Sequence, residues 1–204
     1  MTMTTNDHGT ALPRLYSRAE LAALLPGGEI RVDLGCGSRK RPGHIGVDSA
    51  ALPGVDIVCD LNAGLPFEDG AVDAVWSNFL FEHVQDTVRL FRELYRVCRP
   101  GATVEFRVPY YQSLTQYKDP THRAVILPET MRYFTKENWY GSDYGIGTDF
   151  RLLKISYDYL PPFDRIMSRK LLLLRPLTYP FVLFARRFFW NVVHSVTMLL
   201  AVEK

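Results

Sequence analysis

VDLGCGSRKRPGHIGVD, residues 32–48, is the stretch that decides the fold of this 204-residue chain. The apolar residues at 30–34 lead directly into the GCG turn at 35–37, and this order predicts a buried strand that enters a glycine turn. A second apolar run at 44–47 ends at Asp48, which predicts a second strand with a carboxylate at its C-terminal end. Glycines in such a turn let the backbone approach a ligand where any Cβ would collide, so the stretch indicates a ligand-binding edge.

The rest of the chain continues this alternation of strands and helices. Ser17 and Glu20 form an S-x-x-E capping box, which predicts a short helix before the first strand. Apolar residues at helical spacing predict a longer helix over 86–98. Further strands are expected at 55–59, 71–76, 102–108, 150–157 and 195–202. The order of these elements predicts an α/β fold in which helices cover a parallel sheet.

Composition and charge argue against several classes of protein. With 47% hydrophobic and 23% charged residues, one globular domain is expected, and a net charge of +2 gives no global sign of nucleic-acid binding. Three cysteines without C-x-x-C or Cys/His spacing argue against a disulfide framework and a structural zinc site. The first dozen residues lack an apolar signal core, and arginines divide the apolar C-terminal third into runs shorter than the roughly 20 residues of a membrane span. A soluble, cytoplasmic protein is therefore expected.

The spacing after the glycine turn distinguishes between cofactors. In a dinucleotide fingerprint a third glycine follows and a helix begins at once, with an acidic residue about 20 residues further on. Here Lys40 takes the place of that glycine, Pro42 interrupts any early helix, and Asp48 follows Gly35 by only 13 residues. These departures disfavour a pyrophosphate site. They suit a ligand whose ribose hydroxyls bind a carboxylate directly.

Three stretches together resemble the class I S-adenosylmethionine-dependent methyltransferases, in particular small members with a shortened first crossover helix. They are residues 32–48, 55–86 and 94–110. The resemblance implies a doubly wound, mostly parallel, seven-stranded Rossmann-like sheet whose last strand is antiparallel, in a single domain over 1–204. It also implies S-adenosylmethionine as the cofactor and methyl transfer as the activity. Ala102 departs from the family, which usually has a second glycine there, at a turn outside the site.

The resemblance assigns cofactor-binding roles to a small set of residues. The D-x-G-x-G loop holds the methionine part, the acid after the second strand holds the ribose, and the acid after the third strand lies near the adenine. In this sequence the set is Asp33, Gly35, Gly37, Asp48, Asp60, Leu61 and, at the end of the fourth strand, Ser77. Asp33 has an alternative role in which it only caps the glycine turn. Cys36 is expected to be a small filler rather than a nucleophile.

Two histidines are the candidate catalytic residues. The methyl group of a sulfonium is already activated, so a transferase chiefly has to align acceptor and methyl in a dry pocket. A hydroxyl acceptor would also use a base, and histidine, with a pKa of about 6.5, suits that role. His122 in DPTHR is the first candidate and His83 the second, with anchoring, capping or packing as the alternative for each. Asp119 and His122 alone are too few ligands for a metal, so no metal site is expected.

Aromatic and basic residues after the fifth strand predict the acceptor side. Tyr110, Tyr111, Tyr117 and Arg123 are the candidate substrate residues, in a segment, 109–149, that is expected to form a lid or cap. Tyrosine walls suit a polar, ring-containing acceptor such as a sugar, a glycan or a small phenol. The N/D-P-P-Y/F signature of amino-methylating nucleic-acid enzymes is absent, which disfavours a nucleic-acid acceptor. The sequence thus predicts O-methylation of a small polar or sugar-containing molecule.

An aromatic and basic insertion, 161–191, is expected to add a second lid or cap segment. Within it, 169–190 places phenylalanines and leucines among arginines and lysines. This part is open to three interpretations: a helical lid, a homodimer surface, or a peripheral membrane surface whose arginines meet anionic headgroups. Pro176 and Pro180 are expected to restrict any helix here to short pieces.

Two other functions stay open. One is an oxidoreductase that uses a nicotinamide dinucleotide on a Rossmann-type sheet, which the missing third glycine argues against. The other is a non-catalytic cofactor-binding or scaffold protein on the same fold, which would keep the glycine turn and the acids but have lost the acceptor chemistry.

Overall fold

A single seven-stranded sheet organises the chain in the computed structural model, which describes residues 14–136, 145–167 and 175–204. The strands are β1 (Arg31–Leu34), β2 (Ile45–Asp48), β3 (Ile57–Val58), β4 (Val72–Asn78), β5 (Cys98–Pro109), β6 (Phe150–Tyr159) and β7 (Val193–Val202). Their order is β3-β2-β1-β4-β5-β7-β6. Strands β1 to β5 pair in parallel, and β7 runs antiparallel to both β5 and β6. The predicted fold class is confirmed.

One helix precedes the first strand, and the others lie between later strands. The helices are α1 (Arg18–Leu24), α2 (Thr87–Val97), α3 (Leu114–Lys118), α4 (Phe163–Met167) and α5 (Arg175–Phe188), with 3-10 helices η1 (Phe81–His83) and η2 (Pro128–Phe134). The predicted capping box starts α1, because Ser17 Oγ accepts from Glu20 N and Glu20 Oε2 accepts from Ser17 N at 2.8 Å. Asp86 caps α2 by accepting from Arg89 N at 2.9 Å.

The first crossover contains turns instead of a helix. Within 35–44, all of which the structure describes, the chain returns to β2 after the glycine turn. Gly46 permits this tight packing, since a Cβ there would lie 2.7 Å from the Lys40 side chain, 2.8 Å from Gly54 O and 2.9 Å from Cys36 Sγ. A short connection of this kind leaves the C-terminal edge of β1 and β2 free of an overlying helix.

An aromatic cluster forms the core beneath α2. Phe81 stacks on Phe106 with ring centroids 4.6 Å apart, and Phe91 stacks on Phe134 at 4.2 Å. All four rings are buried. Because Phe81 lies in η1, this cluster fixes the backbone of the residues that follow β4.

The opposite end of the sheet is held by a buried carboxylate. Asp73 is 3% exposed, and its Oδ2 accepts from Ile30 N at 2.6 Å and from Arg18 Nη2 at 2.7 Å. Arg99 contacts the other oxygen. Burial opposes ionisation here, but these donors prevail and lower the pKa of Asp73. The ion pair thereby ties α1 to the base of β4.

Helix α5 corrects one expectation. The prolines were expected to restrict this segment to short pieces, but α5 runs from Arg175 to Phe188 with Pro180 inside it. Proline removes one backbone donor, while burial of Val182 and Ala185 holds the following turns against the rest of the protein. The helix is therefore continuous, and the expectation was wrong.

Candidate active site

The glycine turn is open to solvent and held by the acid that follows β2. Gly37 N donates to Asp48 Oδ2 at 2.9 Å, and Ala50 N donates to Asp48 Oδ1 at 3.0 Å. Gly37 has a φ of +52°, and a Cβ built on it would meet no atom within 4 Å. Each carboxylate oxygen can accept a second hydrogen bond. The turn is thus preorganised around Asp48 and bordered by free space.

Asp33 braces the far side of the same loop. It is 3% exposed, and its Oδ2 accepts from Arg41 N at 2.7 Å. Burial raises the pKa of Asp33, although this backbone hydrogen bond acts in the opposite direction. The contact supports the capping role, and a ligand contact by Asp33 stays a prediction. Burial and the neighbouring acids raise the pKa of the Cys36 thiol to about 11, as befits a filler residue rather than a nucleophile.

The acid after β3 extends the edge toward β4. Asp60 Oδ1 accepts from both the backbone N and the side-chain Nδ2 of Asn62, each at 3.0 Å. Asn62 Oδ1 in turn accepts from Gln85 N at 3.0 Å, which links this turn to the segment after β4. Among the described residues, neither Asp48 nor Asp60 forms an ion pair, so both negative charges remain available to a ligand.

The side chain of Ser77 forms a hydrogen bond within the sheet. Its hydroxyl donates to Leu34 O at 3.0 Å, across the β1–β4 pair, and the residue is 1% exposed. The predicted cofactor contact at this position stays a prediction.

The two candidate histidines, 39 positions apart in sequence, meet in one cleft. The rings of His83 and His122 pack edge to face with centroids 4.7 Å apart. The cleft has a volume of about 560 Å³ and is lined by Asn62, His83, Gln85, Pro120, Thr121, His122 and Arg123. His83 Nδ1 lies 2.9 Å from Thr121 Oγ1, and His122 Nδ1 lies 2.9 Å from Gln116 O. The histidines predicted as alternatives thus occupy the same site.

Glu82, which the sequence places next to His83 without a separate catalytic or binding role, is the buried acid of this site. It is 1% exposed, and in the described part of the chain neither of its carboxylate oxygens has a hydrogen-bond partner. Its backbone O accepts from Arg123 N at 2.7 Å and from Ala124 N at 3.1 Å, which brings the DPTHR loop onto η1. Burial raises the pKa of Glu82 to about 7, and burial together with His122 lowers the pKa of His83. A glutamate directly after the apolar FLF run at 79–81 was the available signal.

Leu80 joins the glycine turn to the histidine cleft. Strands β1 and β4 are neighbours, with Leu34 paired to Ser77, so both segments emerge at the same edge. A Cβ on Gly35 would lie 2.9 Å from Leu80 Cδ1, which shows how closely the turn approaches the segment after β4. The glycine turn therefore borders the segment that carries His83.

Comparison with known proteins agrees with this geometry. The profile of a family described as "Methyltransferase domain" matches residues 42–106. The fold is similar to that of a SAM-dependent methyltransferase from Archaeoglobus fulgidus, with 20% identity, 90% of this chain and 92% of that chain covered, and a TM-score of 0.57. The chain thus contains a stretch that matches the methyltransferase-domain family, and it has the fold of a class I methyltransferase.

Two curated relatives of this chain have names that refer to menaquinone or ubiquinone. The demethylmenaquinone methyltransferase of Streptomyces avermitilis is 39% identical over 72 residues, which are 30% of this chain and 31% of that protein. The ubiquinone/menaquinone biosynthesis C-methyltransferase of Desulfotalea psychrophila is 32% identical over 97 residues, 48% of this chain and 35% of that protein. The chain therefore spans about a third of the length of these relatives.

The residues at the sheet edge fit the cofactor of the methyltransferase family, S-adenosylmethionine. The space beside Gly37 is open, since a Cβ built there would meet no atom within 4 Å. Asp48 and Asp60 supply unpaired carboxylates that suit hydroxyl and amino donors and a ligand of positive charge. Lys40, at the position of the third glycine of a dinucleotide fingerprint, pairs with Asp56 at 2.8 Å. Because Asp56 already pairs with the charge of Lys40, this lysine is not available to bind a pyrophosphate.

The predicted acceptor tyrosines form a separate aromatic group. Tyr110 packs against Tyr111 with ring centroids 4.7 Å apart, and Tyr117 packs against Trp190 at 5.4 Å. Tyr117 also donates from its hydroxyl to Tyr111 O at 2.8 Å. None of the three lines the histidine cleft, whereas Arg123 does. Residues 137–144 and 168–174 of the two predicted cap segments lie outside the described part of the chain.

Proposed function

We propose that the protein transfers the methyl group of S-adenosylmethionine to a small hydroxylated ring molecule that enters the cleft beside His83 and His122. The observation that carries this proposal is the contact of Leu80 with Gly35, which supports a shared edge for the cofactor turn and the cleft. Methyl transfer requires donor and acceptor at near contact distance, and two separate sites could not provide that.

On the cofactor side, residues at the sheet edge would bind and orient S-adenosylmethionine. Gly35 and Gly37 would admit the amino-acid part, Asp48 would accept hydrogen bonds from ribose hydroxyls, and Asp60 with Leu61 would border the adenine. Bound there, the cofactor supplies a methyl group already activated by its sulfonium. Preorganisation of the turn by Asp48 lowers the entropy lost on binding.

On the acceptor side, a phenol or quinol fits better than the sugar also considered above. Two relatives carry quinone methyltransferase names, one of them a C-methyltransferase, and neither name points to a sugar. Removing the proton from a phenolic hydroxyl makes both its oxygen and the neighbouring ring carbon better nucleophiles. Arg123 would place a positive charge near such a phenolate. The same acceptor class therefore accommodates transfer to oxygen or to carbon.

The predicted base role of His122 is compatible with its hydrogen bond. Gln116 O can only accept, so in the neutral imidazole Nδ1 carries the proton and Nε2 keeps its lone pair. A hydroxyl in the cleft could transfer its proton to Nε2. His122→Ala would then lower turnover by about 10²- to 10⁴-fold while cofactor affinity stays unchanged.

The exposed face of α5 supports a second part of the proposal, peripheral contact of 169–190 with an anionic membrane. Phe181, Phe184 and Phe188 follow one face of the helix and are 55%, 53% and 60% exposed. Apolar and aromatic groups beside arginines are typical of helices that lie in the membrane interface. In the described part of the chain, no helix is both long and apolar enough to cross a membrane.

The experiment for the main proposal measures binding and product together. Calorimetry with S-adenosylmethionine and with a nicotinamide dinucleotide tests the cofactor, and methyl-labelled cofactor with panels of phenols, quinols and sugars tests the acceptor. We expect S-adenosylmethionine to bind and a phenol or quinol to gain label. Binding without label on any acceptor would favour the non-catalytic scaffold, and preferential dinucleotide binding would favour the oxidoreductase.

A further inference from the structure

The two histidines of the cleft and the buried Glu82 next to them form a cluster with the donor set of a metal site. Glu82, His83 and His122 each offer one ligand atom, and these atoms lie within 4.8 Å of one another. One carboxylate and two imidazoles are typical ligands of first-row divalent ions. Sequence reasoning counted only Asp119 and His122, because nothing in the sequence shows that η1 and the DPTHR loop meet.

Hydrogen bonds orient both imidazoles so that their Nε2 atoms are free to ligate. Thr121 Oγ1 donates its only proton to Asp119 Oδ1 at 2.6 Å, so it can only accept from His83 Nδ1 at 2.9 Å. Gln116 O likewise accepts from His122 Nδ1. Each neutral ring therefore presents an unprotonated Nε2. Backbone and side-chain oxygens commonly fix metal-binding histidines in this way.

Glu82 supplies the independent observation that points to a cation. Its carboxylate is almost completely buried, has no described hydrogen-bond donor, and places Oε1 4.0 Å from His122 Nε2. Burying a polar or charged group without a partner is costly. Asp119 Oδ2 lies 3.9 Å from the same Nε2, on the more exposed side of the ring. A cation between these atoms would satisfy the carboxylate.

We propose that Glu82, His83 and His122 bind a divalent first-row metal ion, such as Zn²⁺ or Mn²⁺, at the edge of the cleft that the two histidines line. Three protein ligands leave coordination positions open, as in catalytic rather than structural sites. These positions face a cleft large enough for a small acceptor molecule.

The role of the metal in catalysis rests on the proposed methyl transfer, but metal binding itself does not. A hydroxyl oxygen of the acceptor that binds the ion would lose its proton more readily, and it would be held beside the glycine turn. A ligated His122 Nε2 cannot at the same time serve as the general base. The base role of His122 predicts turnover in the metal-free protein, whereas the metal site predicts turnover only with the ion bound. Both predict that a His122 variant loses turnover.

The test uses untagged full-length protein treated with a chelator and then dialysed. Zn²⁺ alone is titrated by calorimetry, Co²⁺ is added in parallel to record its visible absorption bands, and bound metal is counted by elemental analysis. We expect one ion per chain and cobalt bands that report nitrogen ligands. Glu82→Gln and His122→Gln should each weaken Zn²⁺ binding at least tenfold, while His194→Gln, a matched control outside the cleft, should leave it unchanged.

Two further readouts keep the proposal falsifiable. Circular dichroism and thermal unfolding without metal identify any variant that fails to fold, and His122→Gln is the second variant should Glu82→Gln do so. Substoichiometric binding to the wild type, or affinity unchanged in both folded variants, would overturn the metal site. Stoichiometric metal binding without methyl transfer to any acceptor would refute the proposed function and leave the metal site standing. Transfer that persists after complete removal of metal would restrict the proposal to binding alone.

Discussion

The substitution Asp48→Ala removes the carboxylate on which the cofactor turn is built. Asp48 accepts from Gly37 N and Ala50 N at 2.9 and 3.0 Å, so the alanine variant leaves the turn less ordered as well as lacking a ribose partner. A hydrogen bond to a charged group contributes about 1.5 to 3 kcal/mol. Loss of one ribose contact together with part of the preorganisation predicts a weakening of about 2 to 4 kcal/mol, or roughly 30- to 1,000-fold in Kd.

The assay is calorimetric titration of wild type and variant with S-adenosylhomocysteine. Asp48→Asn is expected to fall between them, because its amide oxygen can keep one of the two backbone donors. Asp69→Asn is the matched control, since the Asp69 carboxylate is 81% exposed and pairs with Arg96 away from this edge. Unchanged far-UV circular dichroism shows that the variant is folded. If Asp48→Ala binds within twofold of wild type while folded, the assignment of the ribose site is wrong.

Three further predictions concern stability and the surface. The pKa of Asp73 is lowered in the folded state, so its contribution to the free energy of unfolding is complete above the unfolded pKa of about 4 and is lost as pH falls through the folded pKa. Denaturant titrations from pH 2 to 7 should show that acid lowers the free energy of unfolding more steeply in wild type than in Asp73→Asn. Equal slopes would refute this. Gly46→Ala should destabilise the protein by about 2 kcal/mol or more, because the new Cβ would approach Gly54 O at 2.8 Å, and an unchanged midpoint in urea would show that the loop yields freely. Phe184→Ser/Phe188→Ser should abolish low-salt sedimentation with anionic vesicles; wild type that stays in the supernatant would instead direct attention to a dimer, which light scattering detects.

The glycine turn and the acids that follow β2 and β3 could be placed at one edge of the sheet because their signals are local. Strand β1 ends where a glycine adopts a positive φ. Parallel strands bring Asp48 and Asp60 to the same edge of the sheet regardless of the conformation of the connecting loops. The same local rules predicted the capping box of α1 and the start of α2 at Asp86.

The histidine cleft needed the tertiary structure. Glu82 is buried because Phe81 stacks on Phe106 and because the backbone at Arg123 returns to bond its carbonyl, and neither event leaves a local pattern. At Pro180 a local rule predicted that the helix would break, and the prediction was wrong. Helix α5 is continuous through Pro180 because one face of the helix is buried. Local sequence patterns identified His83 and His122 as candidate residues, and long-range packing brings them together in one cleft.

The most direct test of the account is a crystal structure of the protein with S-adenosylhomocysteine. We expect the ribose hydroxyls on Asp48, the amino-acid part against Gly35 and Gly37, and the sulfur atom facing the cleft between His83 and His122. A ligand bound elsewhere, or one whose sulfur faces away from that cleft, would contradict the claim that cofactor turn and histidine cleft form one active site.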